Sequence, residues 1–265
     1  MLFALIPIHM LAQSDARTFD DAIEDNSFFV EEAYNQEDRV VQHISTLLSS
    51  GDPRNYAFGF TQEWPVGSQL HQLSVTVPYQ WMDGVGVNGL SDVLLNYRYQ
   101  LSGSDGWAAI APRLSLILPV GDELKGLGAG VWGVQFNLPV SKRVSNGLVV
   151  HANVGSTLLP GVKAITLTGA EVKKTLSSFN VGVSAIALVS ANVNLMLEIV
   201  RNSTGGIDAE GNVVHTHETI VNPGIRAAID IGSLQIVPGL AAPVITAGGE
   251  TRVGSFVYLS FEHPF

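Results

Sequence analysis

A two-residue alternation of apolar and polar side chains constrains this chain more than any other feature. It recurs from Val40 to the C-terminus, and the final segment, residues 252–265, ends on the aromatic Phe265. One face of this segment carries His263, Phe261, Leu259, Val257 and Val253, and the other carries Glu262, Ser260, Tyr258 and Gly254. A strand with lipid on one side and a wet lumen on the other has this pattern.

The composition favours the same interpretation. Of the 265 residues, 46% are hydrophobic and 14% are charged, against about 25% charged residues in soluble domains. The sequence also lacks an uninterrupted run of 18 apolar residues, which a spanning helix would need. Since only helices and closed barrels satisfy their backbone in lipid, we expect an antiparallel up-and-down transmembrane β-barrel in the bacterial outer membrane.

The alternation predicts about twelve strands, most of them near or above the 9–11 residues that cross a bilayer at a tilt. The predicted spans are 39–50, 55–65, 69–82, 91–102, 107–119, 128–141, 147–159, 177–190, 192–203, 214–231, 234–246 and 251–264. An even number of strands places both ends of the barrel on the periplasmic side.

The predicted connections alternate in length, as they do in barrels with short periplasmic turns and longer external loops. The even-numbered connections are short, such as residues 103–106 and 232–233. Most odd-numbered ones are longer, at residues 83–90, 120–127, 160–176 and 204–213. The short exceptions, residues 51–54 and 248–250, lie beside the seam where the barrel closes.

Negative charge is concentrated at the N-terminus. Residues 1–38 contain nine acids and one base, a charge of −8 out of the formal total of −10. We interpret residues 1–12 as the remnant of a secretion signal, residues 13–38 as an acidic extension or plug, and residues 39–265 as the barrel. The near-neutral barrel lacks the cationic surface that nucleic acid requires, so no nucleic-acid partner is expected.

Polar side chains on the inward face are the candidate lumen lining. They are Asp92, Asn96, Arg98, Arg113, Asn137, His151, Asn153, Glu198, Arg226, Asp230 and Glu262. They could select solutes in an open channel, or they could pair with one another and fill a narrow barrel. In the extension, Glu31, Glu32 and Tyr34 could fold into the lumen as a plug or gate, or contact a periplasmic partner instead.

Four stretches of the front half resemble the phenol-degradation meta-pathway family of Gram-negative outer-membrane barrels. They are residues 29–37 with 40–43, then 61–67, 90–99 and 111–119. The resemblance implies an outer-membrane, transporter-like barrel that passes small hydrophobic or aromatic solutes. The terminal Phe265 similarly resembles the C-terminal signal that the barrel-assembly machinery recognises, although His263 stands where an aromatic is usual.

Other functions remain as alternatives. A structural or surface-display barrel with a plugged lumen would expose the loop at residues 160–176. A membrane-embedded hydrolase would use His151, Asn153 and Ser156, but regular alternation points Ser156 outward, away from His151, so we predict no enzyme. His215 and His217 share a face without an identifiable third ligand, so we expect no metal site and no cofactor.

Overall fold

The computed structural model describes residues 27–265. The proposed signal remnant, residues 1–12, and the first part of the acidic extension lie outside this range. Within it, no helix has the length and apolarity needed to cross a membrane.

The described chain forms a single 17-stranded antiparallel sheet. Its strands are β1 (Val40–Ser50), β2 (Asn55–Val66), β3 (Ser68–Met82), β4 (Val87–Leu90), β5 (Val93–Tyr99), β6 (Ala109–Ile110), β7 (Arg113–Leu118), β8 (Gly133–Ser145), β9 (Leu148–Ile165), β10 (Glu171–Ser190), β11 (Val193–Ile207), β12 (Val213–Ala227), β13 (Ile229–Ile231), β14 (Leu234–Ala241), β15 (Val244–Ala247), β16 (Glu250–Val253) and β17 (Ser255–Pro264).

These segments combine into a closed barrel of twelve strands, which confirms the predicted fold class. Five of the twelve are interrupted: β4 continues as β5, β6 as β7, β12 as β13, β14 as β15, and β16 as β17. The barrel closes where β1 pairs with β17, from Val40 opposite Pro264 to Ser49 opposite Ser255. Each remaining contact joins strands that follow one another in sequence, for example β1 with β2 and β8 with β9.

The outer surface is apolar, and the interior is where the polar groups are buried. On β11, Leu195, Leu197 and Ile199 are exposed while Asn194 and Glu198 are fully buried. A soluble protein buries its apolar face, so this inverted arrangement suits a barrel surrounded by lipid. The outward and inward faces assigned from the alternation agree with the observed burial in this strand.

The hairpin between β9 and β10 corrects one sequence prediction. Residues 160–176 were expected to form an external loop, but the two strands stay paired as far as Ile165 opposite Glu171. Lys163 and Glu171 form an ion pair of 3.3 Å across the hairpin. The polar side chains of this part of the hairpin suit strand pairing that continues into water above the bilayer. The loop that connects the two strands is therefore only residues 166–170.

The longest external loop of the described chain, residues 119–132, is longer than the predicted 120–127. It begins earlier because β7 ends at Leu118, and it ends later because β8 starts at Gly133. Two devices order this loop. Asp122 caps a short 3-10 turn, and hydrogen bonding to Lys125 lowers the pKa of its carboxyl. Asp92 accepts hydrogen bonds from the backbone N–H groups of Gly121 and Ala129 at 3.0 and 2.8 Å.

Aromatic side chains gather outside the barrel near the periplasmic rim, at the level where such rings meet lipid headgroups. His263 stacks on His43 across the closing seam, with ring centroids 5.4 Å apart. His43 also contacts Phe261 at 5.5 Å. His263 therefore completes an aromatic group in the position where an aromatic residue is usual.

Candidate functional site

Residues 27–36 run through the barrel interior, and we call them the inner segment. Val30 and Ala33 are 2% and 0% exposed. The segment contacts strands on opposite sides of the barrel, from β10 and β11 through β8 and β9 to β5 and β3. After it, the chain turns at Arg39, whose φ is 58°, and enters β1 at Val40. The inner segment thus crosses the periplasmic half of the lumen.

One carboxylate on β11 holds the start of the inner segment. Glu198 Oε1 accepts hydrogen bonds from the backbone N–H groups of Phe28, Phe29 and Val30 at 3.1, 2.8 and 2.9 Å. Its other oxygen, Oε2, accepts from Asn222 Nδ2 at 2.7 Å. Several donors converging on one carboxylate are what a fully buried acid needs.

Apolar contacts hold the same end of the inner segment. The Phe28 ring packs on Phe256 and Tyr258, with centroids 5.2 and 5.4 Å away. Space for the ring exists because the wall carries Gly224 and Gly239, where an added Cβ would lie 2.5 and 2.7 Å from ring atoms. The interior is therefore aromatic and apolar on this side.

Barrel side chains satisfy the backbone of the remaining inner segment. Glu31 and Asn153 exchange two hydrogen bonds, N–H to Oδ1 at 2.7 Å and Nδ2–H to the Glu31 carbonyl at 2.9 Å. Further along, N–H groups donate at 2.6 to 2.8 Å: Ala33 to Ser141, Asn35 to Gln100 and Gln36 to Gln72. Side chains of the wall thus supply the hydrogen-bond partners that the backbone of the inner segment would otherwise have to find in a neighbouring strand.

Two arginines face each other beneath the inner segment. Arg98 and Arg113 are direct cross-strand partners of β5 and β7, an arrangement that is unfavourable for like charges alone. Arg98 lies 3.2 Å from Glu32 and 3.9 Å from Glu63. Arg113 binds Glu31 through two hydrogen bonds, Nε to Oε2 at 2.9 Å and Nη2 to Oε1 at 2.6 Å. The inner segment supplies two of these three carboxylates.

Cavities lie beside the inner segment. One of about 260 Å³ is lined by Phe28, Phe29, Glu31, Arg98, Arg113 and Tyr258, among others. A second, of about 340 Å³, shares Phe29, Glu31 and Arg113 and extends to Asn180 and Asn202. A third, of about 490 Å³, lies at the periplasmic rim between Tyr34, Trp107 and Lys142. A cavity of about 150 Å³ can hold benzene, so each has room for a small ring.

Ten of the eleven candidate lumen residues lie in the barrel interior, and the other, Asp92, lies at the external end. Those buried there are Asn96, Arg98, Asn137, His151, Asn153, Glu198 and Arg226, and those half-buried are Arg113, Asp230 and Glu262. Asp92 instead lies at the external end, where it orders the long loop. In the inner segment, the carbonyl of Tyr34 accepts a hydrogen bond from Arg98 at 2.6 Å.

Four further residues belong to the site. The alternation places Gln100 on the inward face and Asn35 lies in the predicted plug, whereas Glu63 and Gln72 were not among the candidates. Asn35 Oδ1 accepts from Arg98 Nε at 3.0 Å, and Gln72 Nε2 donates to Glu63 Oε2 at 2.7 Å. Glu63 and Gln72 stand at alternating positions of β2 and β3, so the two-residue period could have placed them inside. Asn35 lies in the inner segment, where no such period operates.

His151 has a serine neighbour that the sequence did not indicate. Its Nδ1 lies 2.6 Å from Ser141 Oγ on the adjacent strand, whereas Ser156 stands beside Phe136 and Phe179 in the register. Ser141 and His151 are 1% and 0% exposed, and the Tyr34 ring packs edge-on against His151. The pair therefore lies covered beneath the inner segment.

No protein-family model matches the chain, and no curated protein matches it. A solved structure with the same fold is the COG4313 outer membrane channel from Pseudomonas putida F1. It has a TM-score of 0.66 and 12% identity, over 88% of this chain and 98% of that one. The NanC porin gives a TM-score of 0.51 and 9% identity, over 83% and 98%. At these identities the likeness shows the fold, which is that of outer-membrane channels.

Proposed function

We propose that this protein is a gated outer-membrane channel for small hydrophobic or aromatic solutes, related to the phenol-degradation meta-pathway barrels. The inner segment is its gate, and the polar wall residues around Arg98 and Arg113 line its lumen. The observation that carries this proposal is that the barrel encloses a peptide without regular secondary structure, residues 27–36, with cavities beside it. A lumen wide enough for that peptide is wide enough for a small organic molecule once the peptide moves.

The contacts of the inner segment support a gate in particular. Its backbone is bound by side chains of the wall and belongs to no sheet, so each hydrogen bond can be exchanged for one with water or solute. The Phe28 ring occupies a space between Gly224 and Gly239 that would accept another aromatic ring. The Ser141–His151 pair serves to bind the Ala33 backbone in this proposal, and the protein has no enzymatic role.

Planar-bilayer recordings test the proposal. The intact protein should show small or infrequent openings, and a variant lacking residues 13–38 should show larger, long-lived ones. Benzyl alcohol, added to one side, should reduce the current of the open variant by occupying the lumen, whereas n-propanol at the same concentration should not. A variant without residues 13–38 that folds, inserts and fails to conduct would exclude a channel and leave a structural barrel.

A further inference from the structure

Arg98 and Arg113 would keep different acceptor groups if the inner segment left the lumen. Arg98 would keep the Glu63 carboxylate on β2, 3.9 Å away, and Gln72 Oε1 at 3.1 Å. Arg113 would lose its only carboxylate contact among the described residues, because Glu31 belongs to the inner segment. Two guanidiniums would then face a single carboxylate.

The surroundings of Arg113 are already arranged for a carboxylate. Its Nη1 donates to Asn96 Oδ1 at 3.0 Å and to Ser115 Oγ, and its Nη2 donates to Gln135 Oε1 at 3.0 Å. These three neutral groups come from β5, β7 and β8, and they fix the plane of the guanidinium. Its Nε and Nη2 remain directed at the two oxygens of Glu31, which is the paired geometry that favours arginine–carboxylate recognition.

An aromatic surface lies beside this guanidinium. The 260 Å³ cavity that Arg113 lines is bounded on the barrel wall by Tyr258, and the Phe29 ring of the inner segment packs on Phe256 of the wall, with ring centroids 5.0 Å apart. The inner segment itself offers the wall an aromatic ring at Phe29 and a carboxylate two residues later at Glu31. A small molecule that combines a ring with a carboxylate would reproduce both contacts.

We infer that Arg113 is the binding site for the carboxylate of a small aromatic acid, which replaces Glu31 there and thereby releases the inner segment. This inference rests on the proposed channel function and names the solute class that opens it. The exchange keeps the charge beside Arg113 balanced, because one carboxylate leaves as another arrives. A neutral solute cannot make this exchange, since it would leave two opposed guanidiniums with one acid.

Isothermal titration of the detergent-solubilised full chain with benzoate tests the inference, with benzyl alcohol as the neutral probe of similar shape. Glu31 competes with the ligand in the native protein, so Glu31→Gln should tighten benzoate binding about tenfold or more. The double variant Glu31→Gln with Arg113→Gln should lose that gain. Benzyl alcohol should bind all three proteins with similar affinity.

The exposed ion pair between Arg252 and Glu218, 3.4 Å apart near the external end, provides matched controls. Glu218→Gln and Arg252→Gln change the net charge as the test substitutions do and should leave benzoate affinity unchanged. Heat-modifiable migration on a gel confirms that each variant is folded. The inference is overturned if Glu31→Gln binds benzoate no more tightly than the native protein, or if Arg113→Gln leaves the gain intact.

The two proposals can fail separately, because benzoate binding is measured without a membrane. A barrel that binds benzoate through Arg113 but conducts in no variant would remove the channel function and keep the site. A barrel that conducts after loss of residues 13–38 but shows no Arg113-dependent benzoate binding would keep the channel and remove the site.

Discussion

Glu198 is the residue on which the docking of the inner segment depends most. It accepts three consecutive backbone N–H groups, from Phe28, Phe29 and Val30, and it is fully buried. A buried donor left without an acceptor costs about 1–3 kcal/mol. Loss of this carboxylate would leave three such donors without their acceptor, and that cost favours conformations in which the segment has left its position in the lumen.

We therefore predict that Glu198→Ala exposes the inner segment to protease. Chymotrypsin should cut at Phe28, Phe29 or Tyr34 at least about tenfold faster than in the native protein, because cleavage follows the population of the open form. Glu250→Ala removes an exposed carboxylate of β16 and should leave the cleavage rate unchanged. Equal rates for native protein and Glu198→Ala would show that Glu198 does not hold the segment.

For a single side chain, the sequence predicts which face of the strand it occupies better than which residue it contacts. The two-residue period places Arg98, Asn153 and Glu198 on the inward face. It cannot say that Glu31 meets Arg113, because that contact depends on the path of the inner segment, which has no regular period. It also depends on the stagger of the strands around the closed barrel.

Among the structural elements, the last strand links the sequence pattern to barrel closure. β17 pairs with both β1 and β14, and beyond it the Phe265 N–H donates to the Arg39 carbonyl at 3.0 Å. The Phe265 side chain is 70% exposed. An exposed ring contributes little to the stability of the finished fold. We therefore expect the Phe265 ring to act during assembly, as a signal that the assembly machinery recognises.

Phe265→Ala should consequently lower the yield of folded protein in the outer membrane severalfold. Its thermal stability after refolding in detergent should stay within about 0.5 kcal/mol of the native protein, as for other surface substitutions. Heat-modifiable protein in membrane fractions measures the first quantity, and thermal unfolding measures the second. Leu124→Ala, at a loop residue that is 93% exposed, should change neither. A normal yield of Phe265→Ala would contradict the assembly role.

The positions of the strands could largely be predicted from the sequence, but the positions of their external ends could not. All twelve appear near their expected positions because alternation persists over most of each strand. β9 and β10 continue to Ile165 and from Glu171, beyond the point where apolar residues alternate. Hydrogen bonding between two paired strands does not need lipid, so a hairpin can extend into water without a signal in the hydrophobic pattern.

Across the whole molecule, buried polar groups occur all round the interior wall, and large apolar side chains are concentrated on part of it. The strands β3, β5, β7 and β8 bury polar groups such as Gln72, Arg98 and Asn137. Strands β9 to β17 add large apolar side chains, including Val149, Ile186, Val200 and Phe256, which form clusters with Phe28 and Val30. The order of residues in the inner segment fits this distribution, because Phe28 and Phe29 contact the large apolar side chains and Glu31 and Glu32, which follow them, contact Arg113 and Arg98.

This match explains why the choice between an open and a filled lumen could not be made from the strands. Inward polar residues suit both water and an internal peptide. The inward apolar residues distinguish the two, since a water-filled pore does not need them. They occur one or two at a time on several strands, and only the closed barrel brings them together around Phe28.

In the proposed channel the inner segment must move before solutes or ions can pass, and a reversible tether on that segment tests this requirement most directly. Ser27 Oγ and Ser184 Oγ are in contact, and the chain has no cysteine. The double variant Ser27→Cys with Ser184→Cys can therefore join the segment to β10 through a single disulfide. In planar bilayers, the oxidised variant should show few or no openings, and reduction should restore the activity of the Ser27→Cys single variant. Equal conductance before and after reduction, with the disulfide verified, would contradict the account.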